Sequence, residues 1–530
     1  ITSMPVWIKE KMFLKSMLKD ELKEIGTINK TTSFLFPEHH LSHAASAFYP
    51  SPFENSAIMT LDGVGEWATA SICHGRGKEI EILKELKFPH SLGLLYSSFT
   101  YFLGFRVNSG EYKLMGLAPY GRAGHQDIER YEQVIKEHLI DIKEDGSLWI
   151  NQDYFRYATG LRMVNDDKWA KLFGFPRRTP ESELEQKHCD LGLAIQNVTE
   201  EIVLKMAQEA KRLTGADYLC LAGGVALNCV ANGKLINAKI FKDVFIQPAA
   251  GDAGGAPGAA LAAHHIHFDK PRRLPQNGEM DGMRGAYLGP YYTGKDIELA
   301  VKKYEGKYEK FDQFEGLATK TAQLLSEGNV IGWMQGRMEF GPRALGGRSI
   351  LGDPRSEEMQ KKLNLKIKYR ESFRPFAPSV IAEDCKDYFD HEGISPYMLI
   401  VQPVAEVRRN DLPGDFDKMS IKDKLYYVRS DIPAITHIDF SARIQTVHKE
   451  TNPRYWELIS AFKDITGYGM VVNTSFNVRG EPIVCTPDDA YRCFMRTEMD
   501  YLVIENYLFK KDEQPEWQEK DDWQEEFKLD

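Results

Sequence analysis

The chain has 530 residues, of which 42% are hydrophobic and 27% are charged, and its formal net charge is -10. This length predicts roughly two to four domains with substantial cores, and the acidic balance argues against a nucleic-acid-binding protein, which needs a broad basic face. The sequence contains no run of about 18 apolar residues, so we expect no transmembrane helix. Seven cysteines without a C-x-x-C pair, and an N-terminus without a signal-peptide core, predict reduced thiols in a cytoplasmic protein.

The first candidate site along the chain is a histidine pair in the segment PEHHLSHAASAF. His39 and His43 are four residues apart, so a helix that begins here places both imidazoles on one face, one turn apart, where they could share a cation. His40 lies off that face, which predicts a supporting role. The alternative is a helix whose histidines are only core or capping residues.

Short apolar strands followed by glycine loops are predicted at 57–61, 218–221 and 244–247, and a helix with apolar residues at three- to four-residue spacing precedes the second strand and ends at Gly215. This alternation predicts an α/β fold. Asp62 and Asp252 begin loops after the first and third strands. Two histidines and two carboxylates suit Fe(II), Zn or Mn better than Mg²⁺, although spacing alone does not bring the four residues together.

The glycine loops are also candidates for phosphate binding. The Asp62-Gly63-Val64-Gly65 loop and the 222–228 loop present consecutive backbone N–H groups, as phosphate-binding turns do. Gly223, Gly224 and Asn228 are therefore candidate nucleotide-binding residues. Neither loop matches the P-loop or the dinucleotide fingerprint, so ordinary tight turns are the alternative.

A polar, Pro- and Gly-rich stretch at 267–285 predicts a break between two domains. We expect a first domain at 1–270, a linker at 271–285, a second domain at 286–510, and a charged, solvated or loosely packed tail at 511–530. Strands are predicted in the second domain at 330–333, 379–382 and 470–473.

The second domain contains an unusual density of basic residues among Gly and Pro, in GRMEFGPRALGGRSILGDPR and KYRESFRPFAP. Such a stretch suits a rigid cradle in which guanidinium groups bind carboxylate or phosphate oxygens in pairs. On an acidic chain it favours a small polyanionic ligand. A solvated loop with surface ion pairs is the alternative. The basic residues of this cradle are Arg337, Arg343, Arg348, Arg355, Lys366, Lys368, Arg370 and Arg374.

Taken together, these segments resemble the O-carbamoyltransferases that tailor antibiotics and nodulation factors, the family typified by tobramycin carbamoyltransferase. The matching segments run from about residue 32 to about residue 508 and include HHLSHAASAF, LDGVGE, GEYKLMGLAPYG, LAGGVALN, GDAGGAPGAA, GRMEFGPRALGGRSIL, RESFRPFAPSV and NTSFNVRGEPIV. Family members usually begin with a glycine-rich strand and a His-Asp-Ala-Ser segment ahead of the histidine pair. This sequence has neither, so we expect a start that lies earlier or an incomplete first domain.

The resemblance implies an actin- and sugar-kinase-like, metal-binding first domain and a YrdC-like second domain. It implies iron on His39, His43, Asp62 and Asp252, and it also suggests a homodimer. The residues that it implies for binding carbamoyl phosphate and nucleotide are Arg343, Lys368 and Arg374, with Asn473, Ser475 and Asn477 as neighbours and Lys113 as a contact to a nucleotide phosphate or, alternatively, a surface lysine.

The activity implied is ATP-dependent O-carbamoylation. Carbamoyl phosphate and MgATP would form carbamoyl-adenylate in the second domain, and the carbamoyl group would then reach an acceptor hydroxyl at the metal site along an internal path. His40 and Glu66 are candidates for the base or for support of the metal. Alternatives are an actin-like small-molecule kinase, a threonylcarbamoyl-type tRNA modification enzyme, and a non-catalytic ligand-binding protein. The sequence does not identify the acceptor.

Overall fold

The computed structural model describes residues 12–29, 31–276, 278–370 and 373–517. The helices of the first half are α1 (Leu14–Ile25), α2 (His39–Phe48), α3 (Leu92–Phe102), α4 (Glu111–Leu117), α5 (Gln126–Val134), α6 (Asp166–Phe173), α7 (Gln186–Thr214), α8 (Cys229–Asn237) and α9 (Asp252–Ala262). Its strands are β1 (Asn55–Gly65), β2 (Ala68–Arg76), β3 (Glu79–Lys87), β4 (Ile140–Ile142), β5 (Leu148–Ile150), β6 (Tyr218–Ala222) and β7 (Asp243–Ile246).

The first half is organised around a five-stranded sheet of order β3-β2-β1-β6-β7. Strand β1 is antiparallel to β2 and parallel to β6, and helices α2, α3 and α7 pack against it. The side chains of Ala57, Ile58 and Met59 are therefore fully buried, which explains the continuous apolar run. The three predicted strands are confirmed, but β1 is longer than predicted. The Asp62-Gly-Val-Gly segment is the end of β1, where the pairing with β2 is irregular, and it is not a loop that follows the strand.

The long helix α7 confirms the helix predicted ahead of β6. Glu185 and His188 form a capping box at its start, and Gly215 ends it in the left-handed conformation, with φ 63°. Its apolar stripe, which includes Leu191 and Ile195, is buried. The sequence pattern was sufficient here because caps and stripe are both local signals.

The second half contains α10 (Gly294–Lys303), β8 (Glu309–Lys310), α11 (Phe314–Ser326), β9 (Ile331–Met334), β10 (Arg348–Gly352), α12 (Met359–Lys362), β11 (Ala377–Ile381), α13 (Cys385–Tyr388), β12 (Ile400–Pro403), α14 (Ile421–Tyr426), β13 (Ser441–Val447), α15 (Pro453–Thr466), β14 (Met470–Ser475), α16 (Pro487–Arg496), β15 (Tyr501–Ile504) and β16 (Tyr507–Lys510). Nine strands form one mixed sheet of order β12-β13-β11-β14-β10-β9-β15-β16-β8. Strand β11 is parallel to β13, and β9 is parallel to β15. The predicted strands at 330–333, 379–382 and 470–473 correspond to β9, β11 and β14.

Two segments that the sequence predicted to be irregular, the linker and the start of the tail, make specific side-chain contacts to the rest of the protein. In the segment between the domains, the Arg272 guanidinium donates to the carbonyls of Ser51 and Phe53, each at 2.8 Å. At the start of the predicted tail, Trp517 packs against Tyr491. Residues 511–517 are exposed or half-buried, so a solvated tail stays a prediction, and residues 518–530 lie outside the described residues. None of the described helices is long and apolar enough to cross a bilayer.

Candidate metal centre and anion-binding cavity

Four side chains of the first domain converge on one point. The ligand atoms of His39, His43, Asp62 and Asp252 all lie within 4.8 Å of one another. The His39 Nε2 atom is 3.0 Å from His43 Nε2 and 3.0 Å from Asp62 Oδ2, and the nearest Asp252 oxygen is 3.6 Å from His39 Nε2. The fold thus assembles the four residues that sequence spacing could not bring together.

Close backbone contacts set this geometry. Helix α9 carries Asp252 at its first residue and packs against α2 so tightly that a Cβ atom on Gly258 would lie 1.9 Å from the Ser42 carbonyl oxygen. A Cβ atom on Gly65 would lie 2.1 Å from the His39 ring. The N–H of Gly224 donates to Asp62 Oδ1 at 3.1 Å. These glycines allow the elements that carry the four side chains to approach one another.

The electrostatics and the donor set both fit a divalent transition metal. The hydrogen bond from His39 to Asp62 raises the pKa of that imidazole. Burial acts to raise the pKa of Asp62, but the hydrogen bonds from His39 and His43 outweigh it and hold that pKa well below its usual range. Two imidazole Nε2 atoms 3.0 Å apart cannot both donate to each other, so a cation between them satisfies both lone pairs. A set of two nitrogens and two oxygens suits Fe(II), Zn or Mn.

His40 has a different position from the other two histidines. Its side chain is buried, and its Nδ1 atom lies 2.6 Å from the Thr60 hydroxyl. Burial lowers the pKa of His40 to about 4, so this imidazole is neutral at physiological pH. Glu66 lies in the exposed turn between β1 and β2. His40 therefore anchors α2 to β1, in agreement with the supporting role expected for it.

The glycine pair of the 222–228 loop, a candidate for phosphate binding, makes backbone contacts that support the candidate metal site. Gly223 donates its N–H to the Ala250 carbonyl at 2.7 Å, and the Gly224 N–H is bound to Asp62. Asn228 caps α8, because its Oδ1 accepts from the Ala231 N–H at 3.1 Å. Both backbone donors of the pair are thus engaged within the protein, and a nucleotide contact of this loop stays a prediction.

A second site lies between the two domains, in a cavity of about 160 Å³. Four arginines line it, and its described wall contains no aspartate or glutamate. The first domain contributes α4 and the start of α8, and the second domain contributes β13, β14 and the loops around 343 and 374. The polar residues on the wall are Tyr112, Arg343, Arg370, Arg374, His437, Ser441, Arg443, Asn473, Thr474 and Ser475.

The arginines of this cavity bring several positive charges close together. Burial, followed by repulsion from Arg443 and Arg374, lowers the pKa of Arg343 to about 9. The Nε atoms of Arg343 and Arg443 are buried without a hydrogen-bond partner in the described structure. The guanidinium of Arg374 stacks 4.5 Å above the Tyr112 ring, and Arg370 donates to Asn364 at 2.8 Å. The four guanidinium groups are half-buried, and this concentration of positive charge on one wall favours an anionic ligand.

Lys368 lies behind this wall. Its ammonium group donates to the carbonyl of Asn477 at 2.9 Å and to the Asn477 side chain at 2.8 Å, and it also bonds the Ser475 carbonyl. Burial, followed by repulsion from Arg370, holds the pKa of Lys368 well below its usual range. The lysine thus fixes the turn that presents Ser475 to the cavity. Asn473, also on the wall, donates to the Ala344 carbonyl at 3.0 Å, while its Oδ1 atom has no described partner.

The remaining basic residues of the predicted cradle have other positions. Arg348 is fully buried in β10, and all its side-chain nitrogens donate to backbone carbonyls, including those of Gly347 and Cys485. Arg337 is exposed and donates to the Gly289 carbonyl at 3.0 Å. Arg355 and Lys366 pair with carboxylates. None of these four residues is on the described cavity wall, because backbone carbonyls hold the Arg348 guanidinium and carboxylates hold Arg355 and Lys366. The ligand-binding roles of Arg337 and Arg348 stay predictions.

Two site features could not be taken from the sequence. Arg443 lies in β13 between the apolar residues Ala442 and Ile444. The alternation of apolar and polar residues could have predicted a strand here, but Arg443 is too far along the chain from the arginine-rich segment to be assigned to the same site. Lys113 is buried in α4, so the alternative of a surface lysine is wrong. Its predicted contact to a nucleotide phosphate stays a prediction.

Comparison with known proteins gives consistent matches over most of the chain. A family model described as the carbamoyltransferase N-terminus matches residues 1–261, and one described as the carbamoyltransferase C-terminus matches residues 322–511. An uncharacterized protein of Synechocystis sp. is 55% identical over 535 residues, which cover 100% of this chain and 85% of that protein. Nodulation protein NolNO of Sinorhizobium fredii is 38% identical over 96% of this chain and 68% of its own length. Nodulation protein NolO of Bradyrhizobium diazoefficiens is 38% identical over 89% of this chain and 78% of its own length.

Proposed function

The chain belongs to the carbamoyltransferase family, and from this premise we propose that it is an ATP-dependent O-carbamoyltransferase with two linked sites. The interdomain cavity would form carbamoyl-adenylate, and the His39–His43–Asp62–Asp252 cluster would pass the carbamoyl group to an acceptor hydroxyl. We assign an actin-like architecture to the first domain and a YrdC-like architecture to the second. We retain 1–270, 271–285 and 286–510 as the proposed domain and linker bounds.

The observation that carries this proposal is the set of four arginines on a small cavity whose described wall has no acidic residue. Carbamoyl phosphate is a small dianion with a planar amide end. Arginine forks match the geometry of phosphate oxygens and bind them in pairs. The buried Asn473 Oδ1, which has no described partner, is an acceptor that the carbamoyl N–H₂ group would satisfy.

In the first half-reaction, water cleaves carbamoyl phosphate to carbamate and phosphate. The carbamate oxygen then attacks the α-phosphorus of MgATP, the bond to the β-phosphate oxygen breaks, and carbamoyl-adenylate and pyrophosphate form. Arg343, Arg374 and Arg443 bind the anions and neutralise charge that develops on oxygen. Since such transfers depend mainly on positioning and electrostatics, no side chain needs to form a covalent intermediate.

In the second half-reaction, the acceptor hydroxyl attacks the carbamoyl carbon, AMP leaves, and a carbamate ester forms. The metal that the four side chains would hold, Fe(II) by family resemblance with Zn or Mn also compatible, supplies a Lewis acid when bound. The hydrogen bond from the Gly224 N–H orients the Asp62 carboxylate for this role. The hydrogen bond between His40 and Thr60 holds α2 against β1. The adenylate would pass between the two sites along an internal path, protected from water.

The structure weighs against a kinase. An actin-like kinase would bind ATP phosphates through the glycine loops, but the Gly223 and Gly224 N–H groups are engaged with Ala250 and Asp62. A kinase also leaves the four cavity arginines without a role. The tRNA modification alternative requires a basic surface, and the chain carries a net charge of -10.

The proposal is tested by carbamoyl-phosphate-dependent ATP–pyrophosphate exchange in the presence of Mg²⁺ and without an acceptor. We expect exchange in the wild type and a loss of about 100-fold or more in Arg343→Ala, because a charge-assisted contact in a desolvated site is removed. Arg337→Ala, which alters an exposed arginine of the same segment, is the matched control and should retain exchange. Formation of ADP without exchange would contradict the proposal and favour a kinase.

A further inference from the structure

The segment 278–290, which covers the end of the proposed linker and the start of the second domain, makes specific contacts to both domains. On the first-domain side, the Gly282 N–H donates to the Pro50 carbonyl at 2.7 Å, two residues beyond the end of α2. On the second-domain side, the Tyr287 hydroxyl donates to the Leu345 carbonyl at 2.7 Å, two residues beyond Arg343. This segment thus connects the helix that carries two metal ligands to the loop that carries a cavity arginine.

At the centre of the segment lies a buried carboxylate, Asp281. Its Oδ1 atom accepts the N–H of Met283 at 2.7 Å and of Arg284 at 3.2 Å. The hydroxyl of Tyr397, from the second domain, lies 2.7 Å from both carboxylate oxygens. Asp281 and Tyr397 are only 4% and 5% exposed. A buried carboxylate with these partners fixes its surroundings, because any displacement leaves polar groups unsatisfied.

The backbone next to both residues is strained. Arg284, Gly285 and Ala286 have φ angles of 52°, 72° and 66°, and Met398, which follows Tyr397, has a φ of 56°. Non-glycine residues rarely adopt this region, so the surrounding contacts must hold them there. Met398 lies on the wall of the arginine cavity together with Cys229 of the first domain. Because Met398 is bonded directly to Tyr397, a displacement of Tyr397 would also displace this part of the cavity wall.

We propose that Asp281 and Tyr397 are positioning residues that keep the interdomain cavity closed around the activated carbamoyl group during its passage between the sites. This inference rests on the two-site carbamoyltransferase proposed above. When the pair is broken, Met398 can leave its strained conformation, and the wall opens to water. Water then attacks the carbonyl carbon of carbamoyl-adenylate, the bond to the AMP oxygen breaks, and AMP and carbamate are released without transfer.

The test uses Tyr397→Phe, which removes one hydroxyl and keeps the ring, with Asp281→Ala as a second variant. Tyr291→Phe, whose ring is 55% exposed in the described structure, is the matched control. Each protein is assayed without acceptor for carbamoyl-phosphate-dependent exchange and for AMP release. We expect exchange within about twofold of wild type and an AMP release raised about tenfold, the effect of one lost hydrogen bond to a charged group. A merely structural role would lower both rates together, and that outcome, or AMP release equal to wild type in both variants, would overturn the inference.

A second readout does not depend on turnover. Cys229 on the cavity wall is 1% exposed, and Cys73 in the sheet of the first domain is 0% exposed. We expect alkylation by iodoacetamide, followed by peptide mass spectrometry, to accelerate at Cys229 in Tyr397→Phe and Asp281→Ala, while Cys73 stays protected. If wild type shows no exchange, the proposed function fails, and Cys229 labelling still decides whether the pair closes the cavity. Unchanged labelling at Cys229 would overturn the closure.

Discussion

Replacing Arg343 by methionine should stabilise the protein without ligand and weaken its binding of carbamoyl phosphate. Burial and two neighbouring arginines lower the pKa of Arg343 from its usual range to about 9. At about 1.4 kcal/mol per pKa unit, this corresponds to at most about 5 kcal/mol against the charged form. At pH 7 this cost is present in full, because the pH lies below the pKa in both the folded and the unfolded state. It would diminish only as the pH rises above the folded-state pKa.

Methionine removes the charge and keeps much of the volume, so we expect the Arg343→Met variant to gain about 1–4 kcal/mol, as in other buried-charge replacements. Carbamoyl phosphate at 100 times its Kd should stabilise the wild type by about 2.7 kcal/mol. If the variant binds 100-fold more weakly, the same concentration stabilises it by only about 0.4 kcal/mol. The assay is thermal unfolding with and without carbamoyl phosphate, and Arg337→Met is the control. A variant that is less stable than wild type without ligand, yet shows the full ligand-induced shift, would refute the reasoning.

Three further outcomes are expected. Gly258→Ala should lower the free energy of unfolding by about 1–3 kcal/mol and reduce the bound metal, because the added Cβ would lie 1.9 Å from a carbonyl oxygen of α2. Gly255→Ala in the same helix, with open space at its Cβ, is the control and should lower neither the free energy of unfolding nor the metal content. Equal losses in the two variants would contradict this prediction. Asp62→Asn should reduce the metal retained after dialysis, measured by elemental analysis, by about 10-fold or more, and an unchanged content would exclude the cluster as the site. Lys368→Met should lower the free energy of unfolding in urea by about 1–3 kcal/mol, since it removes the ammonium that donates to the Asn477 carbonyl and leaves the Ser475 carbonyl with only the Asn477 N–H as donor. A stability equal to wild type would show that the lost contacts are replaced.

Much of the first domain followed from local signals. The helix α7 was predictable from its apolar spacing and Gly215, and the strands around 58, 220 and 245 from short apolar runs. The candidate metal site was half predictable: His39 and His43 are fixed by helical spacing, which is local. Asp62 and Asp252 could be named as candidates because they stand at strand and helix ends, but their approach to the histidines needed the packing of α9 on α2.

The arginines show what sequence could not decide. The arginine-rich segment 337–374 predicted one anion site. In the structure, Arg343 and Arg374 line the cavity, whereas Arg348 of the same segment is enclosed by backbone carbonyls. Arg443, distant in sequence, completes the cavity. Whether a guanidinium is free for a ligand depends on which carbonyls the rest of the chain places around it.

The sequence by itself determined the α/β layering, the family resemblance and the types of residue available for metal and anion binding, because periodicity, capping and motif identity are short-range properties. Only the tertiary structure decided which of those residues share a site. In the structure, the N–H groups of Gly223 and Gly224 donate to Ala250 and Asp62, and Lys368 lies behind the cavity wall. The polar segment at Asp281 contacts Tyr397 of the second domain. Each of these outcomes depends on contacts between residues far apart in the chain, and a buried polar group bonds whatever partner the fold brings within reach.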